Sequence, residues 1–197
     1  MKSSVLKPAS LNKHHHPEHG DHLVHFFEKT DSLIQVLCNY VIPGINRGEG
    51  IIVVATKAHQ KALTEGLSHR SVDVNRVISR GQLVILDVHD VLSLFMHKDR
   101  PDKNKLHALV NQLLMSMKQK YSSIRTYGEM VNVLSLEGNH AGALEVEKFW
   151  HEFIENEPIS LFCGYSSNVL YETDLSFHEV CSCHSHVVVS DGIFKVR

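Results

Sequence analysis

The sequence lacks the apolar segments that membrane insertion or secretion requires. No apolar run approaches the roughly 18 residues of a membrane-spanning helix, and residues 1–21 are polar and rich in histidine, without the apolar core of a signal peptide. We therefore expect a cytoplasmic protein with no membrane association. Cysteine is scarce, with four residues, and Cys181 and Cys183 are too close in sequence for an easy disulfide. Reduced thiols fit a cytoplasmic location.

An excess of charge of either sign is also missing. The 20 Lys and Arg residues face 22 Asp and Glu residues, which gives a formal net charge of −2, and no basic cluster occurs. Nucleic acid is therefore not an expected partner. The 197 residues suffice for one well-buried core and are short for two. We expect a flexible His-rich arm over residues 1–21 and a single domain over residues 22–197.

Strand and helix patterns alternate along this domain. Buried-strand patterns at 51–55 and 83–86 flank a helical pattern at 57–67, which predicts a right-handed βαβ unit. Further strands are predicted at 23–27, 124–127, 159–163 and 186–190. Further helices are predicted at 31–41, 90–96, 106–117, 140–155 and 168–179, and one more follows the strand at 124–127 and ends at 136. Pro43 and Gly44 are expected to end the first helix. The alternation predicts a three-layer α/β/α fold with a mostly parallel sheet.

The phosphate loop of nucleotide-hydrolysing enzymes is missing. Four apolar residues precede Asp87, the pattern of a magnesium-holding aspartate, but no glycine-rich loop of the form G-x-x-x-x-G-K-[ST] follows the strand at 51–55. A strand that ends in aspartate is common in α/β proteins. A divergent ATPase-like protein that uses Asp87 and Glu129 remains an alternative. A hydrolase nucleophile elbow, G-x-S-x-G, is also absent.

A ligand-binding site is predicted where the strand at 124–127 ends. Arg125, Tyr127 and Glu129 surround Gly128 there, and ligands of open α/β sheets bind at the carboxyl ends of strands. Glu129 could accept hydrogen bonds or act as a base, or it could simply favour a helix N-terminus. No nucleophile stands beside a base in a recognisable motif, so no catalytic residue is predicted.

Glu147 belongs to the apolar face of the following helix, together with Trp150. A buried carboxylate needs a cation or hydrogen-bond donors, which Arg125 or His25 could supply. A ligand contact and a structural ion pair both remain open for Glu147.

Two groups of potential metal ligands have unsuitable spacing. The arm carries His14, His15 and His16, and the segment 181–186 reads C-S-C-H-S-H, which is compressed compared with known zinc motifs. On a strand, alternation would place Cys181 and Cys183 on one side and the histidines on the other. We therefore predict no metal site and no cofactor.

Seven short motifs together carry a family resemblance. They are His25-Phe26-Phe27, Gly48-Glu49, Gly81-Gln82-Leu83, Tyr127-Gly128-Glu129-Met130, Gly138-Asn139, Leu144-Glu145-Val146-Glu147 with Trp150, and Leu161-Phe162-Cys163-Gly164-Tyr165. In order and spacing they resemble the MEDS family, the methanogen/methylotroph sensory domain, over about residues 20–190.

The resemblance implies a RecA- or KaiC-like fold that has lost its phosphate loop, and a signalling role proposed for the family as sensing small, hydrocarbon-derived molecules. The ligand-binding residues that it implies are His25, Glu49, Arg125, Tyr127, Glu129, Asn139, Glu147 and Trp150. Such domains are often joined to a histidine kinase or a DNA-binding helix-turn-helix, for which this chain has no room. We therefore expect output through such a kinase or transcription-regulator partner, or through self-association as a homo-oligomer.

The leading hypothesis is a non-catalytic cytoplasmic sensory or regulatory domain that binds a small molecule or a signalling partner. One alternative is the ATPase-like protein described above. The other is a protein–protein interaction module whose pocket is purely structural.

Overall fold

The computed structural model describes residues 16–155, 157–172, 177–189 and 192–196. The strands are β1 His22–Phe27, β2 Gly50–Ala55, β3 Leu83–Asp87, β4 Met96–His97, β5 Arg100–Pro101, β6 Ile124–Gly128, β7 Ile159–Ser166, β8 His186–Val189 and β9 Gly192–Lys195. The helices are α1 Thr30–Asn46, α2 Lys57–His69, α3 Val74–Ser79, α4 Val88–Phe95, α5 Lys103–Lys118, α6 Met130–Leu136, α7 His140–Ile154, α8 Ser167–Glu172 and α9 Phe177–Ser182.

Within the described residues, seven strands form one sheet in the order β3-β2-β6-β7-β1-β8-β9. The pairings from β3 to β8 are parallel, and β9 is antiparallel to β8. A separate two-stranded hairpin joins β4 and β5. The predicted three-layer α/β/α fold with a mostly parallel sheet is confirmed.

The residues of β2 show how the sequence produces the three layers. All six are buried, and alternate side chains point to opposite faces of the strand. Ile51 and Val53 pack with residues of α1, α2 and α3, whereas Ile52 and Val54 pack with residues of α4 to α8. A parallel strand covered by helices on both faces explains the continuous β-branched run in this segment.

The predicted end of the first helix at Pro43 and Gly44 is wrong. Helix α1 continues to Asn46 with Pro43 inside it. Proline removes one backbone donor, but in this last turn the Pro43 carbonyl still accepts from Arg47 N at 3.1 Å. Tyr40, Val41 and Gly44 are buried against the sheet, so packing of the helix face outweighs the local stop signal.

The C-terminal region departs from its predicted pattern. Of the helix predicted over 168–179, the structure describes the parts that belong to α8 and α9, and residues 173–176 lie outside the described residues, as do Ser190 and Asp191. Cys181 belongs to α9 and Cys183 to the turn after it, so the strand alternation expected from residue 181 is wrong. The strand begins at His186.

Of the predicted N-terminal arm, residues 1–15 lie outside the described residues. Its last residues are hydrogen-bonded to β7: Gly20 N donates to Ile159 O and Leu161 N donates to Asp21 O, both at 2.9 Å. Over the described ranges, no helix has the length and apolar character that crossing a membrane requires.

Candidate functional site

Strands β2 and β6 are neighbours whose following helices cover opposite faces of the sheet. Their parallel register pairs Val54 with Gly128, and α2 lies on one face while α6 lies on the other. Only Thr56 separates β2 from α2, and only Glu129 separates β6 from α6. Such a divergence opens a crevice at the carboxyl ends of the strands, where ligands of α/β proteins bind.

The carboxylate of Glu129 is completely buried at the ends of these two strands and is held by three groups. Thr56 N donates to Oε2 at 3.0 Å, the Tyr127 hydroxyl donates to Oε1 at 2.9 Å, and His59 Nδ1 lies 2.8 Å from Oε1. Burial, followed by the charge of Glu129, raises the pKa of Tyr127 well above its usual value, so the phenol keeps its proton and donates. The carboxylate also lies at the N-terminus of α2, where negative charge is favoured.

Arg125 has different partners from Tyr127 and Glu129. Its guanidinium forms a two-pronged ion pair with Glu49, in which Nη2 lies 3.2 Å from Oε1, and Nη1 donates to Tyr40 O at 3.0 Å. Helix α1 covers it closely: a Cβ added to Gly44 would lie 2.9 Å from Arg125 Cδ. The structure thus brings Tyr127 and Glu129 together and pairs Arg125 with Glu49 beneath α1.

An apolar cavity of about 40 Å³ lies on the other face of β6. Its walls come from strands β2, β6 and β7 and helices α4, α5, α6 and α7, and include Tyr127 and Trp150 of the predicted site. The lining residues are Ile52, Val54, Val91, Leu106, Leu109, Val110, Leu113, Leu114, Thr126, Tyr127, Gly128, Met130, Trp150, Ile159 and Leu161.

Gly128 contributes to this space because it has no side chain. A Cβ added there would meet only Met130 Cε, at 3.8 Å. A cavity that holds one water has a volume of at least about 10–15 Å³ on this measure, so this one has room for a molecule of a few non-hydrogen atoms.

Glu147 belongs to a second buried cluster. The Tyr165 hydroxyl donates to its Oε1 at 2.6 Å, His22 Nε2 lies 3.5 Å from Oε2, and His184 Nε2 lies 3.7 Å from Oε1. The suggestion from sequence that Arg125 or His25 supplies the cation is therefore wrong, because Arg125 is bound to Glu49 and His25 lies on the other face of the sheet.

Cys163 completes the cluster, with its Sγ 3.4 Å from His22 Nε2. Burial, followed by the charge of Glu147, raises the pKa of Cys163 well above its usual value. The same two causes raise the pKa of Tyr165, which therefore acts as a donor to the carboxylate.

The remaining predicted residues have structural contacts. His25 Nδ1 lies 2.8 Å from Val188 O, and burial lowers the pKa of His25 while that hydrogen bond opposes the shift. Asn139 caps α7, because its Oδ1 accepts from Gly142 N at 2.9 Å. Asp87, named for the ATPase-like alternative, accepts from His89 N and Asp90 N and caps α4.

Five side chains of these clusters are missing from the set predicted from sequence. They are His22, His59, Cys163, Tyr165 and His184. A usable signal existed for Cys163, a potential ligand within the apolar strand pattern at 159–163, whereas His22 precedes the strand predicted at 23–27 and meets Cys163 only because β1 pairs with β7. His59 and His184 become visible only when the helices are in place.

Comparison with known proteins agrees with this architecture. The family model described as the MEthanogen/methylotroph, DcmR Sensory domain matches residues 21–185. No functionally curated protein matches the sequence.

Three solved structures show the same fold at low sequence identity. The KaiC-like protein PH0186 from Pyrococcus horikoshii has a TM-score of 0.58 and 9% identity, covering 87% of this chain and 72% of its own. The uncharacterized protein PH0321 from the same organism, solved with an unknown peptide, has a TM-score of 0.60 and 14% identity, covering 89% and 81%. The flagellar accessory protein FlaH from Methanocaldococcus jannaschii has a TM-score of 0.51 and 13% identity, covering 87% and 71%.

Proposed function

Because this chain belongs to the MEDS family of sensory domains, we propose that it is a non-catalytic cytoplasmic sensor whose ligand is a small apolar molecule bound in the cavity beside Trp150. The observation that carries the proposal is the cavity itself, with its apolar lining and the bare backbone of Gly128 in its wall. Water finds few partners in such a space, whereas an apolar molecule gains contacts there.

The size of the cavity limits the affinity. A ligand of about four non-hydrogen atoms gains at most about 1.5 kcal/mol per atom, or about 6 kcal/mol, which corresponds to a dissociation constant no tighter than about 4 × 10⁻⁵ M. A sensor of this kind would respond to an abundant small molecule rather than to a trace signal.

The position of the cavity suggests how occupancy is communicated. Gly128 lines the cavity, and Glu129, the next residue, binds the N-terminus of α2 on the opposite face through Thr56 N. A displacement of this segment would change the hydrogen bonds of Glu129 to Thr56 and His59. In this proposal the output passes to a histidine kinase, a transcription regulator or a second copy of the chain.

A thermal-shift series with xenon, cyclopropane and benzene tests the proposal. Xenon and cyclopropane should raise the melting temperature, because binding only the native state stabilises it, and benzene should not, since it exceeds the cavity. Gly128→Ala should abolish the shift by filling the space, while Ser116→Ala, an exposed change on α5, should keep it. Equal responses of the wild type and Gly128→Ala would refute the proposal and favour an interaction module whose cavity is only structural.

Calorimetry with Mg-ATP separates the sensor from the ATPase-like alternative. We expect no binding, because Thr56 N already donates its hydrogen bond to the Glu129 carboxylate at the start of α2. A phosphate bound at this helix N-terminus would need that donor. Tight binding that Asp87→Ala removes would favour the alternative instead.

A further inference from the structure

Four potential metal ligands meet on the face of the sheet that α7 covers. His22 begins β1, Cys163 lies within β7, Glu147 projects from α7, and His184 precedes β8. Their ligand atoms all lie within 4.8 Å of one another, and all four residues are at most 2% exposed. We propose that His22, Glu147, Cys163 and His184 together bind one divalent transition-metal ion, with zinc as the best match.

The distances between these atoms suit a tetrahedral ion. With typical zinc bond lengths, two nitrogen or oxygen ligands lie about 3.4 Å apart, and a nitrogen and a sulfur ligand about 3.6 Å. The observed separations are 3.4 Å for His22 Nε2 to Cys163 Sγ and 3.5 Å for His22 Nε2 to Glu147 Oε2, and one ligand atom from each of the four residues lies within 4.8 Å of the others. Any pair of ligand atoms that is still as far apart as 4.8 Å would reach the tetrahedral separation if the side chains moved about 1 Å toward the ion.

The hydrogen bond of His184 orients its ring as a ligand. Its Nδ1 lies 2.7 Å from Val180 O, and because a carbonyl only accepts, Nδ1 carries the proton. With Nδ1 directed at this carbonyl, Nε2 is the ring atom that can bind a metal ion, and it lies 3.7 Å from Glu147 Oε1. Backbone carbonyls commonly fix the rings of metal-binding histidines in this way.

The carboxylate has a matching outer partner. Tyr165 donates to Glu147 Oε1, whereas Oε2 accepts no hydrogen bond from any residue in the described part of the chain. Burying a carboxylate oxygen without a donor is costly, and coordination to a cation offsets that cost. Two imidazoles, one carboxylate and one thiolate form a mixed ligand set that suits zinc better than calcium or magnesium.

Four protein ligands would leave no open position, so the ion would stabilise the fold and not act in catalysis. Binding would exchange the Cys163 thiol proton for a metal–sulfur bond and release the proton to solvent. The ion would join β1, α7, β7 and the segment before β8. Trp150 follows Glu147 by one turn of α7, so the ion would also steady one wall of the apolar cavity, although the metal proposal does not depend on that cavity binding a ligand.

The test uses the full chain, without an affinity tag, in a background where His14, His15 and His16 are changed to serine so that the arm does not bind metal. After zinc loading and removal of free metal, we expect about one zinc per chain by mass spectrometry. After cobalt loading, the spectrum should show tetrahedral d–d bands and a thiolate-to-cobalt charge-transfer band. Failure to retain metal in this background would overturn the proposal and leave the cluster as a histidine–carboxylate ion pair.

Matched cysteine variants locate the ion. Cys163→Ser should remove the charge-transfer band, whereas Cys181→Ser, close in sequence, and Cys38→Ser, on the other face of the sheet, should retain it. A band that survives Cys163→Ser and disappears in Cys181→Ser would refute this ligand set.

Glu147→Gln gives a second readout if Cys163→Ser does not fold. Glutamine keeps an acceptor for Tyr165 and loses the charge, so the affinity for zinc in chelator competition should fall at least about tenfold. An unchanged affinity would contradict the role of Glu147 as a ligand.

Discussion

At the scale of single residues, the buried carboxylates of Glu129 and Glu147 both have histidine partners from distant parts of the chain, His59 and His22. Glu129 follows a strand and a glycine, which indicated a carboxylate at the strand ends, and Glu147 falls on an apolar helix face, which indicated a buried acid. His59 is 70 positions from Glu129, and only the folded sheet brings them to 2.8 Å. Local sequence patterns identified the two acids, whereas the residues that pair with them could be assigned only from the folded structure.

The hydrogen bond from Tyr127 to Glu129 gives a first prediction. Tyr127→Phe removes one donor from a fully buried carboxylate and should lower the free energy of unfolding by about 1.5–3 kcal/mol, because bonds to charged groups are stronger than neutral ones. Urea unfolding measures the change. The control is Glu65→Gln, which alters an exposed acid paired with Lys61 and should change stability by less than about 0.5 kcal/mol. Equal effects of the two variants would show that the Glu129 network contributes little.

His25 gives a second prediction, which concerns pH. Burial lowers the pKa of His25 in the folded state below 6.5, so the unfolded chain binds a proton more readily than the native one as the pH falls. The native state should therefore have the full contribution of His25 above about pH 6.5 and lose it as the pH falls toward the folded pKa, by at most about 1.4 kcal/mol per pH unit.

His25→Asn keeps a donor for Val188 O and removes the titration. Unfolding free energies measured between pH 5 and pH 7.5 should therefore depend less steeply on pH in this variant. An identical slope in the variant and the wild type would show that His25 does not titrate differently on folding.

At the scale of elements, the apolar periodicity predicted most strands and helices, and the errors have local physical causes. Pro43 signals a helix end, yet α1 continues because its buried face extends to Gly44. The six residues of α3 and the antiparallel strand β9 are too short to carry a periodic pattern of their own. The last parallel strand begins at His186 as predicted, but the alternation considered for residues 181–186 does not apply, because α9 extends to Ser182.

The cap of α7 gives a third prediction. Asn139→Ala removes the acceptor for Gly142 N and the donor to Asp99 O, and should cost about 1–2 kcal/mol of unfolding free energy. Asn139→Asp retains the cap and loses only the donor, so it should recover most of the stability. Chemical denaturation of both variants decides the matter, and an Asp variant as unstable as the Ala variant would contradict a capping role.

At the scale of the whole molecule, the layer order followed from the alternation of strands and helices, whereas the order of strands within the sheet did not. The chain moves from β1 to β2, three positions away, and later inserts β6 and β7 between them. That crossover places Glu129 beside Thr56, and Glu147 near His22. Both buried clusters therefore depend on long-range topology, which periodicity along the chain does not encode.

The most direct test of the proposed sensory function is an NMR titration of the labelled protein with cyclopropane. We predict saturable shifts at the Gly128 amide and the Trp150 indole, in the cavity wall, together with shifts at the Thr56 amide across the sheet, which binds Glu129. Gly128→Ala should remove all three. Shifts confined to surface residues, or none at the Trp150 indole up to saturating cyclopropane, would contradict the proposal that this cavity receives the signal.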